Sequence, residues 1–232
     1  VDIDDLIRDS GFKVFADAHK TEHAVEVQLP LLQRTIADFS IVPLVVGHLT
    51  PEDPLEAARA LGKIIDDQTL VVVSSDFVHY GPQFEYTPFD KELLANIRLV
   101  DSLAVHALGQ QSLSLFNQAL QQTSATICGQ EPLRVLLALL GTGTLGAVES
   151  RVSCYYTSAQ LARARAAAKD RSYPFDSPVV ASSSVGLAQG ERESKLLMAD
   201  VADAQAQSGV SYVGMVFARQ PSQPAPGARS LE

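Results

Sequence analysis

The residues best suited to chemistry gather where an apolar run stops. Val71-Val72-Val73 leads into Ser74-Ser75-Asp76-Phe77-Val78-His79-Tyr80-Gly81. In open α/β sheets, sites form at the carboxyl ends of strands. His79 can take or give a proton near neutral pH, and Asp76 can orient it or cap the following turn. So many polar groups at one strand end favour a functional reading over a plain polar turn. A second candidate is Cys128, within Thr126-Ile127-Cys128-Gly129-Gln130-Glu131-Pro132. Gly129 and Pro132 mark a turn into a helix start, where the dipole favours a thiolate. That suits a metal ligand or a nucleophile, with an inert buried thiol as the plain alternative. The third segment is Glu22-His23-Ala24-Val25-Glu26-Val27-Gln28-Leu29-Pro30. On a helix Glu22 and Glu26 share a face, as do His23 and Val27, so this segment can line a cleft or simply be a solvated helix start. The fourth, Ser211-Tyr212-Val213-Gly214-Met215-Val216-Phe217, reads by itself only as a strand.

The remaining candidates carry less. Cys154 lies inside an apolar strand pattern and reads as an inert buried thiol. His106 lies on an amphipathic helix and reads as structural. His19 and His48 fall near predicted strand ends and stay open. There is no phosphate-binding glycine loop, no Gly-x-Ser-x-Gly elbow, no His-Glu-x-x-His and no Cys-x-x-Cys. Those absences remove P-loop nucleotide hydrolases, common serine hydrolases, zincins and zinc fingers.

Alternating helical and strand-like segments must position these groups. Strands are expected at Phe12–Ala16, Ser40–Val46, Thr69–Ser75, Gly146–Tyr156 and Val210–Ala218. Thr69–Ser75 has the nearly all-apolar composition of a parallel central strand. Thr21 can cap a helix from Glu22 to Ile36 with a kink or break at Pro30. Thr50-Pro51-Glu52-Asp53 starts a helix reaching Ile65. Further helices are expected at Asp90–Ala107, Ser112–Gln121 and Gly129–Leu140. Strands separated by helices of this length imply βαβ units and a mostly parallel sheet. The stretch 158–208 is rich in Ala, Ser, Arg, Gln and Asp. It reads as an insertion carrying a short surface helix at Leu161–Lys169. Residues 219–232 read as a disordered tail, leaving one domain over 1–218.

The chain has 232 residues, 46% hydrophobic and 19% charged, with a net charge of −9. That is enough apolar content for a full core and too much for a disordered chain. The acidic balance argues against nucleic acid and against an anionic membrane surface as partners. No apolar run approaches the roughly 18 residues of a membrane span. Two cysteines do not make a disulfide framework, so a cytoplasmic location is expected. The chain begins at Val1 without an initiator Met, which reads as an N-terminal truncation.

Taken in order and spacing, the four segments resemble the Memo family, whose bacterial and archaeal members are called AmmeMemoRadiSam system protein B. The resemblance covers roughly residues 1–156 and 209–218. It implies a class III extradiol dioxygenase-like fold: one α/β domain, a central mostly parallel sheet and helices on both faces. It implies a pocket metal, iron or copper, held by Cys128. His79 then stands where the related dioxygenases keep an acid/base histidine, with Asp76 beside it as the second catalytic group. Glu22, His23, Glu26, Ser75 and Tyr212 are the expected pocket and substrate-binding residues. The family's two metal histidines lie in Pro-His-Ala-Gly and Gly-Pro-Ser-His-like segments, neither of which occurs here. The expected histidine co-ligands would lie before Val1.

The resemblance leads first to a metal-dependent redox, dioxygenase-like protein. A non-catalytic protein that binds a small molecule or a peptide, or acts as a scaffold, is the alternative. A nucleophilic Cys128 with His79 as base is a third, weaker reading, since no oxyanion motif accompanies it. The family name suggests AMMECR-like and radical-SAM proteins as functional neighbours.

Overall fold

The structure is a computed structural model that describes residues 6–7, 11–169 and 208–219. Most of the predicted insertion and nearly all of the predicted tail lie outside the described residues. Early in the chain, α1 covers Ala16–Lys20 and α2 covers Leu29–Thr35. Next come α3 at Asp53–Gly62, α4 at Leu93–Gly109, α5 at Leu113–Thr123 and α6 at Gln130–Gly141. The last helix, α7, spans Ser158–Lys169. The strands are β1 at His79–Tyr80, β2 at Val148–Thr157 and β3 at Gly209–Arg219.

The helical half follows the sequence closely. Helix α4 buries Leu94, Ile97, Val100, Asp101, Ala104, Ala107 and Leu108. That is the three-four spacing of one helix face turned to the core. Helix α5 starts where the Ser112 hydroxyl accepts the Leu115 N–H at 3.2 Å, a side-chain cap. Helix α6 buries Leu133 and every residue from Val135 to Leu140, so it runs through the interior. Its Ala138 and Leu139 meet Ala58 of α3, and its Leu133, Leu136, Leu137 and Leu140 join the main core with Val78, Ile97, Phe116 and Ile127.

The sheet differs from expectation. Its three strands run in the order β1-β3-β2, and both pairings are antiparallel. Strands β2 and β3 form a long ladder from Val148↔Arg219 to Thr157↔Ser211, irregular between Val152 and Cys154. On the other edge of β3, His79 pairs with Val210 and Tyr80 with Gly209. A Cβ on Gly209 would stand 2.5 Å from the Tyr80 hydroxyl and from the Ser158 Oγ, so the close approach of β1 requires glycine there.

The expected strands at Ser40–Val46 and Thr69–Ser75 belong to no ladder among the described residues. The physical reason is lack of cover. Leu70 is 63% and Val72 47% exposed, and Ile41, Leu44 and Val45 are exposed too. A parallel central strand needs both faces buried. Phe12–Ala16 is likewise no strand: Ala16 opens α1, and Val14 and Phe15 before it are exposed and pair with no strand among the described residues. The helix expected over 22–36 divides into a 3-10 turn at Glu26–Gln28 and α2. Pro30 lies in the first turn of α2, where its missing N–H costs no hydrogen bond.

Candidate metal centre

The site is built on the segment from Asp76 to His79, which is fixed by its backbone. Phe77 N–H donates to the Ser211 carbonyl at 2.9 Å, and Ser211 N–H returns to the Val78 carbonyl at 3.0 Å. His79 N–H donates to Thr126 Oγ1 at 3.1 Å, and the same hydroxyl donates to the His79 carbonyl. Val78 forms an antiparallel bridge with Ile127. These bonds set the Thr126–Cys128 segment beside the Asp76–His79 turn.

Cys128 is the residue just before Gly129, which precedes α6. The Asp76 N–H donates to its sulfur at 3.3 Å, and the Ser75 Oγ lies 3.9 Å away. Ser75 is the clasp of the site. Its Oγ accepts the Gly129 N–H at 2.9 Å and donates to the Asp76 carbonyl at 2.7 Å. Ser75 approaches Gly129 so closely that a Cβ there would stand 2.4 Å from the Ser75 Cβ.

His79 presents an imidazole with an unsatisfied nitrogen. Phe84 stands edge-on to its ring at 5.0 Å between centroids. The Nε2 atom is buried and has no hydrogen-bond partner among the described residues. It lies 3.9 Å from Asp76 Oδ2, beyond hydrogen-bond range. Buried polar atoms are rarely left without a partner, because an unmade bond costs about 1–3 kcal/mol. A ring nitrogen of His79, the Cys128 sulfur and an Asp76 carboxylate oxygen all lie within 4.8 Å of one another. A thiolate, an imidazole and a carboxylate at that spacing fit a transition-metal ion, and three protein donors leave a coordination position open. The orphaned nitrogen and the donor set agree on this fit. The arrangement also puts the histidine expected as an acid/base next to the expected metal ligand.

Other expected residues divide. Ser75 belongs to the site. Tyr212 lies on β3 with its ring tilted against Tyr156 at 5.0 Å. Its phenol is pushed up by burial first and then by the charge of Asp76, which puts it within electrostatic reach of the site. Glu22 caps the Ala24 N–H at 2.7 Å, and His23 is 80% exposed. Neither they nor Glu26 enters the donor group. From that segment it is Gln28 that makes the connection, its Nε2 donating to Ser74 Oγ at 3.0 Å. His19, His48 and His106 are exposed and stand outside the donor group. Cys154 is exposed, not buried as expected, because the ladder irregularity in β2 falls beside it.

Sequence reasoning missed Thr126, Phe84, Tyr155 and Asp101. Only Asp101 carried a signal: it is an acid on the apolar stripe of α4. An open cavity of about 750 Å³ lies between α3, α5 and α6, lined by Glu52, Leu55, Arg59, Gln111, Leu113 and Leu137. It shares no residue with the Asp76, His79 and Cys128 group. Its polar residues Glu52 and Arg59 are exposed, unlike the buried Nε2 of the candidate metal centre.

Comparison with known families agrees with the motifs. The family model described as Memo-like protein matches residues 4–169, and the chain belongs to that family. Protein MEMO1 of Xenopus tropicalis is 33% identical over 146 residues, covering 54% of this chain and 49% of the relative. Protein MEMO1 of Homo sapiens is 32% identical over 124 residues, covering 50% of this chain and 42% of the relative. Protein memo-1 homolog of Caenorhabditis elegans is 31% identical over 129 residues, covering 51% and 36%. The chain thus spans about half or less of the length of these curated relatives, all of them animal proteins. No helix among the described residues is long and apolar enough to cross a membrane.

Proposed function

We propose that this Memo-like chain carries the core of a metal-dependent redox centre, with Cys128, His79 and Asp76 holding iron or copper. The observations that carry the reading are a His79 ring nitrogen within 4.8 Å of a thiol and a carboxylate, and a buried His79 Nε2 that has no hydrogen-bond partner among the described residues. Bound iron or copper supplies electron transfer and Lewis acidity at that point. The chain's own residues do the rest. Ser75 and the Asp76 amide orient the sulfur, and Thr126 fixes the backbone of His79 on both sides. Tyr212, its ring against Tyr156, lies within electrostatic reach of Asp76. Asp76 is 45% exposed, which leaves a path for a small substrate to reach the centre. A class III extradiol dioxygenase-like architecture is part of this proposal, supported by the family match and the mixed helix and sheet content.

A second reading has an observation of its own. Leu70, Val71 and Val72 are exposed immediately before Ser74 and Ser75. That apolar surface supports a non-catalytic protein that binds a peptide or acts as a scaffold, including toward AMMECR-like or radical-SAM proteins. Metal analysis separates the two. The first reading expects about one equivalent of iron or copper in the purified protein and none in Cys128→Ala. Full metal content in Cys128→Ala would sink it. Peptide or partner binding that survives Cys128→Ala and His79→Ala unchanged would favour the second.

A further inference from the structure

Asp101 is out of place on its helix. It sits on the buried face of α4 with Ile97, Val100, Ala104 and Leu108, and it is fully buried. Its Oδ1 accepts the Val78 N–H at 3.3 Å, and its Oδ2 accepts the Tyr155 hydroxyl at 2.6 Å. The Ser211 hydroxyl lies beside the carboxylate as well and lowers its value. One side chain on α4 therefore ties together the residue before His79, strand β2 and strand β3. A buried carboxylate is expensive to keep, and an apolar residue of similar size would suit that face of the helix better.

We propose that Asp101 is a positioning residue of the metal centre, which through the Val78 N–H holds the Asp76–His79 turn in its metal-capturing arrangement and loosens it when protonated. The proposal rests on the metal reading of Asp76, His79 and Cys128. Val78 is pinned at both polar groups, its N–H by Asp101 and its carbonyl by the Ser211 N–H and hydroxyl at 3.0 and 3.3 Å. His79 follows directly, so its imidazole starts from a fixed backbone. Outer partners of this kind orient metal ligands without touching the metal.

The ionised carboxylate accepts at both oxygens, whereas protonation turns one oxygen into a donor. Either the Val78 N–H or the Tyr155 hydroxyl then loses its acceptor. Burial, the largest influence, pushes the Asp101 carboxyl up to about 6, so the change falls at mildly acidic pH. Among the described residues, the charged and titratable groups around it are few. Tyr155 faces it from β2, with the Arg98 guanidinium 6.0 Å over the Tyr155 ring. Tyr80 of β1 and Tyr86 feel its charge, which adds to the upward push that burial gives their phenols.

The test is a Co²⁺ titration of the whole chain and of Asp101→Asn and Tyr155→Phe, followed by the thiolate-to-cobalt charge-transfer band and the d–d bands. Metal-free ¹H–¹⁵N spectra across the mildly acidic range supply a second readout. Asp101→Asn should bind Co²⁺ about tenfold more weakly, with shifted d–d bands. Its Val78 amide should lose the titration seen in the wild type. Wild-type affinity and bands in Asp101→Asn, or an unchanged Val78 titration, would overturn the proposal alone. Absence of a thiolate band in the wild type would overturn the metal reading, and this proposal with it. Should Asp101→Asn fail to fold, Tyr155→Phe decides, because it keeps the charge and removes one bond. Its Val78 midpoint should move to higher pH, since the lost bond had been lowering the Asp101 value, and Co²⁺ should bind more weakly. An unmoved midpoint with unchanged affinity would overturn the proposal.

Discussion

The Asp76 amide donates to the Cys128 sulfur at 3.3 Å, joining residues 52 positions apart. The bond points an N–H at the sulfur while the Asp76 side chain turns toward His79. One residue therefore serves the site twice, by its backbone and by its carboxylate. The contact exists because Val78 bridges Ile127 and because the Ser75 hydroxyl clasps Gly129. Each of these links is a place where the account can be tested.

The Gly129 contact gives the first prediction. A Cβ at Gly129 would meet Ser75 Cβ at 2.4 Å and the Ser74 carbonyl at 3.1 Å. Gly129→Ala should lower stability by about 1–3 kcal/mol, the usual cost of overpacking, and weaken metal binding. Adding Ser75→Gly should recover part of the stability, since it removes the nearest clashing atom. Chemical denaturation of the two proteins checks this. Wild-type stability in Gly129→Ala would show that the clasp is slack.

Thr126 gives the second. Its hydroxyl bonds both polar groups of the His79 backbone. Thr126→Val keeps the shape and removes the hydroxyl, leaving the His79 N–H without that acceptor. The expected loss is about 1–3 kcal/mol, together with weaker metal binding. Thermal unfolding and a metal titration measure the two effects separately. A variant that melts early but binds metal as tightly as the wild type would confine Thr126 to the fold.

Asp101 gives a pH dependence. Its folded value is raised from 3.8 to about 6, with burial as the main cause, so the native state holds the proton more tightly than the unfolded chain. Stability contributed by this group is therefore present below the unfolded value and is lost as pH rises toward the folded one. Between those limits wild type should lose about 3 kcal/mol relative to Asp101→Asn. Denaturation curves at a series of pH values give the difference directly. A constant difference would mean that the Asp101 value is not raised.

The helical part of this chain was legible because its periodicity and its packing agree. The stripe of α4, the Ser112 cap and the apolar run of α6 all point the same way. Two segments of the candidate centre stood out for other reasons: 74–79 because polar groups crowd the end of an apolar run, and Cys128 because it precedes a helix start. Two misreadings share a cause. Ser40–Val46 and Thr69–Ser75 have strand composition, but composition does not say what covers a strand, and Leu70 and Val72 are exposed. Glu22 and His23 were expected in the pocket from the family resemblance; no long helix forms across Pro30, and from that segment Gln28 is the residue that bonds Ser74. Thr126 acts through the backbone of His79, distant in sequence, which no local pattern reveals, while Asp101 showed only as an acid on the apolar stripe of α4.

X-ray absorption at the metal edge of iron- or copper-loaded protein tests the central claim most directly. The account predicts one sulfur scatterer at about 2.3 Å beside nitrogen and oxygen neighbours, with the sulfur lost in Cys128→Ala and an imidazole signal lost in His79→Ala. A first shell of oxygen alone, or a sulfur contribution that persists in Cys128→Ala, would contradict it.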